Sequence, residues 1–166
     1  MVDKVFQAVY GAIPAKLQEC VASVQTAFSG CEYQIIQLDP IADPVARCVA
    51  SENLRFDLAL EHPHMWWVDL DCTILKRPET MAGKPYHAIR AIPGTFAKPD
   101  TFLFYTNGCT SYYEGLIADR DKLGMSRDIY RWPAKVMRGT IDAVNTIPEE
   151  CYEHLSYTRS TLGKKK

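Results

Sequence analysis

The chain has six cysteines (Cys20, Cys31, Cys48, Cys72, Cys109, Cys151) but no C-x-x-C pair. That scatter argues against a zinc ribbon and a small disulfide scaffold, and predicts reduced, mostly buried thiols. No apolar run approaches the ~20 residues needed to span a bilayer. Gln7 and Tyr10 break the amino-terminal segment too early for a secretory core, so the expected location is cytoplasmic. A strong net charge is also missing. Nineteen Lys and Arg against twenty Asp and Glu give −1, which leaves no electrostatic footprint for nucleic acid. The one single-sign run, Lys164 to Lys166, reads as a solvated terminus. There is no internal repeat, low-complexity segment or linker. His62 and His64 flank Pro63 at an expected helix end, which favours a structural role over metal binding.

What is present is an ordinary globular composition: 166 residues, 47% hydrophobic and 23% charged, enough for one domain over 1–166 with a substantial core. Val5–Tyr10 reads as a strand. Pro14 suits the first turn of a helix, Leu17, Val21, Val24 and Phe28 recur at helical spacing, and Gly30 is placed to cap the end. Tyr33–Leu38 alternates as a second strand. This β-α-β opening predicts an α/β fold, a mixed sheet with helices on both faces.

Asp43-Pro44 is an N-cap followed by proline at the first helical position, and the helix runs to Leu60 before His62-Pro63. Met65–Val68 is apolar on both faces and is expected to be a central strand. Pro85–Ala91 and Thr101–Tyr105 are further strands. Ser111 and Glu114 form a capping box for a helix to Leu123. Pro133 leaves 126–139 open, and Ala143–Ile147 is a candidate last strand.

The chemistry concentrates in Trp66-Trp67-Val68-Asp69-Leu70-Asp71-Cys72-Thr73-Ile74. In an extended chain, Asp69 and Asp71 share one side while Leu70 packs on the other. Two carboxylates leaving an apolar strand repel each other and resist burial unless a cation joins them. A divalent ion with oxygen ligands answers that need, and open α/β sheets bind ligands at this end of their strands. The plain alternative is two solvated acids starting a turn.

The helix segment Ala50-Ser51-Glu52-Asn53-Leu54-Arg55-Phe56, followed by Trp67-Val68-Asp69-Leu70-Asp71, resembles the core of DXD-containing glycosyltransferases. These are the GT-A-fold enzymes of the sugar-binding-region type. Arg55, Phe56 and both acids match. Glu52 stands where an aspartate is usual, and Glu61-His62-Pro63-His64 stands where a Gly-Gly turn is usual.

The resemblance implies a small single GT-A-like (Rossmann-like) domain that transfers a sugar from a UDP- or GDP-sugar to a hydroxyl of a saccharide or protein. It implies Mn²⁺ or Mg²⁺ as cofactor, with Asp69 and Asp71 catalytic. Asp71 is the better direct metal ligand, Asp69 a ligand or a ribose or sugar contact, and His154 a further ligand. Donor contacts implied are Glu52, Arg55, Asp69, Thr106 and Asn107. For Arg55 a helix-surface salt bridge is the competing reading, for Thr106-Asn107 a simple turn, and for His154 an ordinary half-exposed histidine. Little sequence remains for an acceptor site, which is compatible with a homo-oligomer or another partner supplying it. Asp100, Glu114, Asp119 and Asp142 are candidates for an acceptor base if the reaction inverts.

The same residues allow two other readings. Asp69-Leu70-Asp71-Cys72-Thr73-Ile74 also resembles the first motif of haloacid-dehalogenase-type phosphatases, with Asp69 as nucleophile, Asp71 as acid/base and Mg²⁺ as cofactor. Phe102–Gly108, with Thr106, would be the second motif and Lys135 the lysine. A β-α-β unit ahead of the first motif and the lone Asp142 count against it. The other reading is a non-catalytic domain retaining a nucleotide-sugar site.

Overall fold

The computed structural model describes residues 2–90, 98–137 and 140–155. The elements are β1 (Lys4–Tyr10), α1 (Gln18–Ala27), β2 (Glu32–Leu38), α2 (Pro44–Glu61), β3 (Met65–Val68), β4 (Cys72–Ile74), β5 (Tyr86–Arg90), β6 (Lys98–Tyr105), α3 (Thr110–Lys122), α4 (Trp132–Val136), β7 (Asn145–Thr146) and β8 (Tyr152–His154). The expected α/β layering is what forms. Six strands make one sheet in the order β2-β1-β3-β6-β5-β7, and β4 pairs with β8 in a separate ribbon. β1 runs parallel to β2 and β3, whereas β6 runs antiparallel to both of its neighbours, β3 and β5. The sheet is therefore mixed, through this one reversed strand.

Alternation along β3 explains why all four of its residues are buried. Met65 and Trp67 face Phe56 of α2, Tyr113 and Leu116 of α3 and Trp132 of α4. Trp66 and Val68 face Val24 and Phe28 near α1 and Cys72 and Ile74 of β4. A strand covered on both faces can be apolar throughout, which is what its sequence shows. The two-tryptophan step thus fills both layers at once.

Several boundaries differ from expectation, each for a local reason. Pro14 precedes a 3-10 turn, Ala15–Leu17, and α1 proper starts at Gln18. α1 ends at Ala27 with Phe28 as its C-cap, and Gly30 does not adopt the left-handed conformation of a capping glycine. Asn107 and Gly108 both take positive φ in a tight turn, so α3 begins at Thr110 behind Cys109. Ser111 therefore lies inside the helix rather than at its cap, and no side chain caps that end. Within 126–139, Pro133 sits in the first turn of α4, so it starts a helix there. The last expected strand shrinks to Asn145–Thr146, because Ile141–Ala143 forms a 3-10 turn instead. Ala91, the last residue of one expected strand, lies outside the described residues. The cysteines are free, but only Cys20, Cys72 and Cys151 are buried.

Two features carry measurable stability. Asp43 caps α2 by accepting a hydrogen bond from the Ala46 N–H at 2.6 Å. Replacing it with alanine should cost about 1 kcal/mol, read as a lower urea midpoint at unchanged slope. His87 on β5 is fully buried, 2.9 Å from the Asp100 carbonyl at Nδ1 and 3.1 Å from the Tyr113 hydroxyl at Nε2. A carbonyl only accepts, so Nδ1 carries the proton and Nε2 accepts from Tyr113.

Burial pulls the His87 pKa down from 6.5 to about 4. On acidification the unfolded chain protonates first, so this contribution is complete above about pH 6.5 and is lost as pH falls toward 4, by roughly 3 kcal/mol at most. Thermal melts between pH 7 and pH 4 should show that loss, and His87→Gln should flatten it.

Candidate active site

β3 delivers the chain to a tight turn rather than to a longer strand. The Asp69 N–H donates to the Phe102 carbonyl at 2.7 Å, continuing the β3–β6 ladder by one bond. The Cys72 N–H then donates back to the Asp69 carbonyl at 3.0 Å, closing a turn around Leu70 and Asp71. Both acids consequently open on the same cleft, of about 670 Å³. Leu70 lines that cleft as well. This corrects the expectation that it packs away from the acids, which assumed an extended chain.

The turn is anchored from three directions. Buried Gln7 of β1 reaches the Asp69 carbonyl through Nε2 at 3.4 Å, and the Tyr33 hydroxyl of β2 donates to Gln7 Oε1. Burial pushes the Tyr33 pKa up to about 12, so it stays a donor. From the other side, the Leu155 N–H donates to the Asp71 carbonyl at 3.1 Å. β8 pairs with β4 so that His154 lies opposite Cys72. His154 Nε2 then stands 3.3 Å from Asp71 Oδ1.

Asp69 is held by one oxygen. Its Oδ1 accepts from the Trp67 indole N–H at 2.7 Å and lies 3.1 Å from Arg55 Nη2. Burial nevertheless pushes the Asp69 pKa up, with Arg55 and the Trp67 N–H opposing the shift. The existing cation offsets only part of the desolvation cost, so a further positive charge would be welcome.

Asp69, Asp71 and His154 each offer a ligand atom, all within 4.8 Å of one another. Two carboxylate oxygens and an imidazole nitrogen suit Mn²⁺, and Mg²⁺ with added water or phosphate oxygens.

The structure separates the other expected residues. Glu52 lines the cleft, where it accepts the Arg131 N–H at 3.0 Å, and burial raises its pKa against the pull of Arg55. Arg55 also lines the cleft but spends its donors on protein. Nη1 donates to the Thr101 carbonyl at 2.6 Å and to Thr101 Oγ1 at 2.9 Å. Nη2 donates to Ser51 Oγ at 2.9 Å, and Nε to the Ser51 carbonyl at 3.2 Å. Its guanidinium stacks over Trp67, 5.1 Å from the ring centre. A helix-surface pair does not describe it; it is a buried clamp on Asp69.

Thr106 and Asn107 are not at this site. β6 is antiparallel to β3, so its end lies beside Met65, at the opposite edge of the sheet from Asp69. There Thr106 Oγ1 accepts the Met65 N–H, and Asn107 Nδ2 donates to the Met81 and Lys84 carbonyls. The same reversal removes the second motif of the phosphatase reading from Asp69. Lys135 is not among the cleft-lining residues.

Sequence reading passed over Gln7, whose signal was a lone amide inside an apolar strand. It also passed over Arg90 and Lys98, which carry no local signature. Of the four candidate bases, Asp100 lines the cleft, and Glu114, Asp119 and Asp142 do not.

No family model and no curated protein sequence matches the chain. Solved structures do, and they define a glycosyltransferase fold. One is a glycosyltransferase involved in the glycosylation of the major capsid of PBCV-1, with a TM-score of 0.63, 11% identity and 93% of each chain covered. Another is the glycosyltransferase GlyE of Streptococcus pneumoniae TIGR4, also 11% identical. Two of its structures give TM-scores of 0.52 and 0.53; they match 90% and 99% of this chain but 46% and 50% of theirs. The chain therefore spans about half the length of GlyE. At this identity the shared property is the fold.

Because Arg55 is a buried cation beside a half-buried carboxylate, Arg55→Met should cost about 2 kcal/mol at neutral pH. The loss should shrink on acidification as Asp69 takes a proton. The double variant Arg55→Met/Asp69→Asn should recover much of it, and a double-mutant cycle in urea checks this.

Proposed function

We propose that the chain is a metal-dependent glycosyltransferase that moves a sugar from a UDP- or GDP-sugar to a hydroxyl of a saccharide or protein. The observation that carries this reading is the convergence of Asp69, Asp71 and His154 within 4.8 Å of one another along the lining of a 670 Å³ cleft, on a glycosyltransferase fold. No helix of the described residues is long and apolar enough to cross a membrane.

Asp71 and His154 would hold the ion, with Asp69 as a third ligand or a sugar contact through Oδ2. A divalent ion bound there would act as a Lewis acid toward the oxygens of the leaving diphosphate. In the transfer, the bond from the anomeric carbon to the diphosphate breaks with its electron pair leaving on the diphosphate. The acceptor oxygen forms the new bond. Its proton ends on the departing diphosphate or, if configuration inverts, on Asp100.

Arg55 keeps Asp69 charged and fixed, Trp67 orients it, and Glu52 faces the donor side of the cleft. Positive charge around the cleft favours an anionic donor. Lys16, Arg47, Arg55, Arg90, Lys98 and Arg131 line it against four carboxylates, although the whole chain carries −1.

Calorimetry with Mn²⁺ tests the reading. UDP or GDP should tighten Mn²⁺ binding, and Asp71→Ala should weaken that coupled binding more than about 100-fold. Slow Mn²⁺-dependent hydrolysis of a nucleotide-sugar should accompany it. A thermal melt unmoved by either nucleotide with Mn²⁺ present overturns the proposal. Coupled binding with no turnover of any nucleotide-sugar would instead assign a non-catalytic site.

A further inference from the structure

β2 is an edge strand: it pairs with β1, and among the described residues no strand pairs with its other side. Its ladder to β1 shows which backbone groups face outward. The Glu32 N–H donates to the Asp3 carbonyl at 2.9 Å, and the Leu38 carbonyl accepts the Gly11 N–H at 2.9 Å. In a parallel ladder, alternate residues turn both of their backbone groups toward the same neighbour. Glu32, Gln34, Ile36 and Leu38 therefore point inward. Tyr33, Ile35 and Gln37 turn their N–H and C=O groups away from the sheet.

An open edge is ordinarily blunted by lysine, proline, a bulge or a short length. β2 has none of these. Its seven residues, Glu32-Tyr33-Gln34-Ile35-Ile36-Gln37-Leu38, keep continuous register with β1. The one charge is Glu32 at the start, and it lies 4.0 Å from Lys4 of β1. The apolar side chains add a second observation. Tyr33 packs against the core on the α1 side and Ile36 against the core on the α2 side, whereas Ile35 and Leu38 belong to neither. Both are half-buried, and Ile35 sits at the centre of the outward-facing set.

We propose that β2 pairs antiparallel with β2 of a second copy of this chain, across a two-fold axis at Ile35. That register sets Ile35 opposite Ile35 of the second copy, and Tyr33 opposite its Gln37. All three outward residues of each copy then form hydrogen-bonded pairs, about six bonds in all. Sliding the register by one pleat repeat leaves an outward residue of each copy unmatched. The side chains agree with this register. Ile35 meets its own counterpart, Ile36 meets Gln34, and Glu32 meets Leu38, so no like charges are opposed. A two-fold satisfied by the strand's own spacing selects a second copy over an unrelated extended segment.

The cleft opens at the end of β1 marked by Tyr10, which is the register partner of Leu38. Antiparallel pairing therefore sets the two clefts at opposite ends of the joined sheet. The inference does not depend on the glycosyltransferase reading.

Sedimentation velocity on the whole chain, in a concentration series up to about 100 µM, tests it. The chain should sediment as a dimer at the top of the series. Gln37→Pro removes one outward N–H, leaves the ladder to β1 intact, and should weaken the dimer about tenfold or more. Ile35→Lys and Ile35→Glu should each sediment as monomers, because the two-fold sets like charges face to face. An equal mixture of the two should recover the dimer. Circular dichroism and thermal melts report whether each variant is folded. Gln37 is exposed, so its variant decides the matter if those at Ile35 fold poorly.

A wild-type chain that stays monomeric throughout the series overturns the proposal. So does a dimer that Gln37→Pro and Ile35→Lys leave unchanged, since its interface would lie elsewhere. A mixture of folded Ile35→Lys and Ile35→Glu that remains monomeric overturns the two-fold at Ile35.

Discussion

The ion pair between Arg55 and Asp69 joins the middle of α2 to the exit of β3. It is the contact on which the site depends. β3 is buried on both faces, so whatever follows it starts from an environment that rejects charge. Arg55 makes a carboxylate tolerable there, and its remaining donors tie the same guanidinium to Ser51 and Thr101. Three elements are thereby fixed around one oxygen of Asp69. Asp69 lines a cleft in which Asp71 and His154 complete an oxygen- and nitrogen-rich corner.

Much of this layout could be read from residue order. The β-α-β opening, the Asp43-Pro44 helix start and the all-apolar Met65–Val68 each follow from local chemistry, and each forms where expected. The acid pair was legible because carboxylates after an apolar strand have few comfortable outcomes. What could not be read was strand direction. Nothing in Thr101–Tyr105 states that it runs against β3, and that single reversal moves Thr106 and Asn107 to the far edge while bringing Lys98 and Asp100 to the near one. The role of Arg55 was hidden for a related reason. Its partners Thr101 and Asp69 come from two different strands, and a helical arginine looks the same whether its fork meets a ligand or the fold.

The solved structures with this fold share 11% of their residues with the chain, and curated sequences share no detectable likeness. Layer packing explains how both can hold. The order of strands and the two apolar faces of β3 can be met by many side-chain sets of similar volume. The polar clamps have fewer solutions. In this chain those clamps are Arg55, Gln7 and His154.

The β4–β8 ribbon adds a consequence of chain order. The acid turn is made by residues before the middle of the chain, whereas His154 arrives on the last strand described, held there by three register pairs with β4 and by the Leu155 N–H on the Asp71 carbonyl. The imidazole therefore reaches the acid turn from far along the chain, on a two-stranded ribbon outside the main sheet. The corner formed by Asp69, Asp71 and His154 is complete only while that ribbon stays paired.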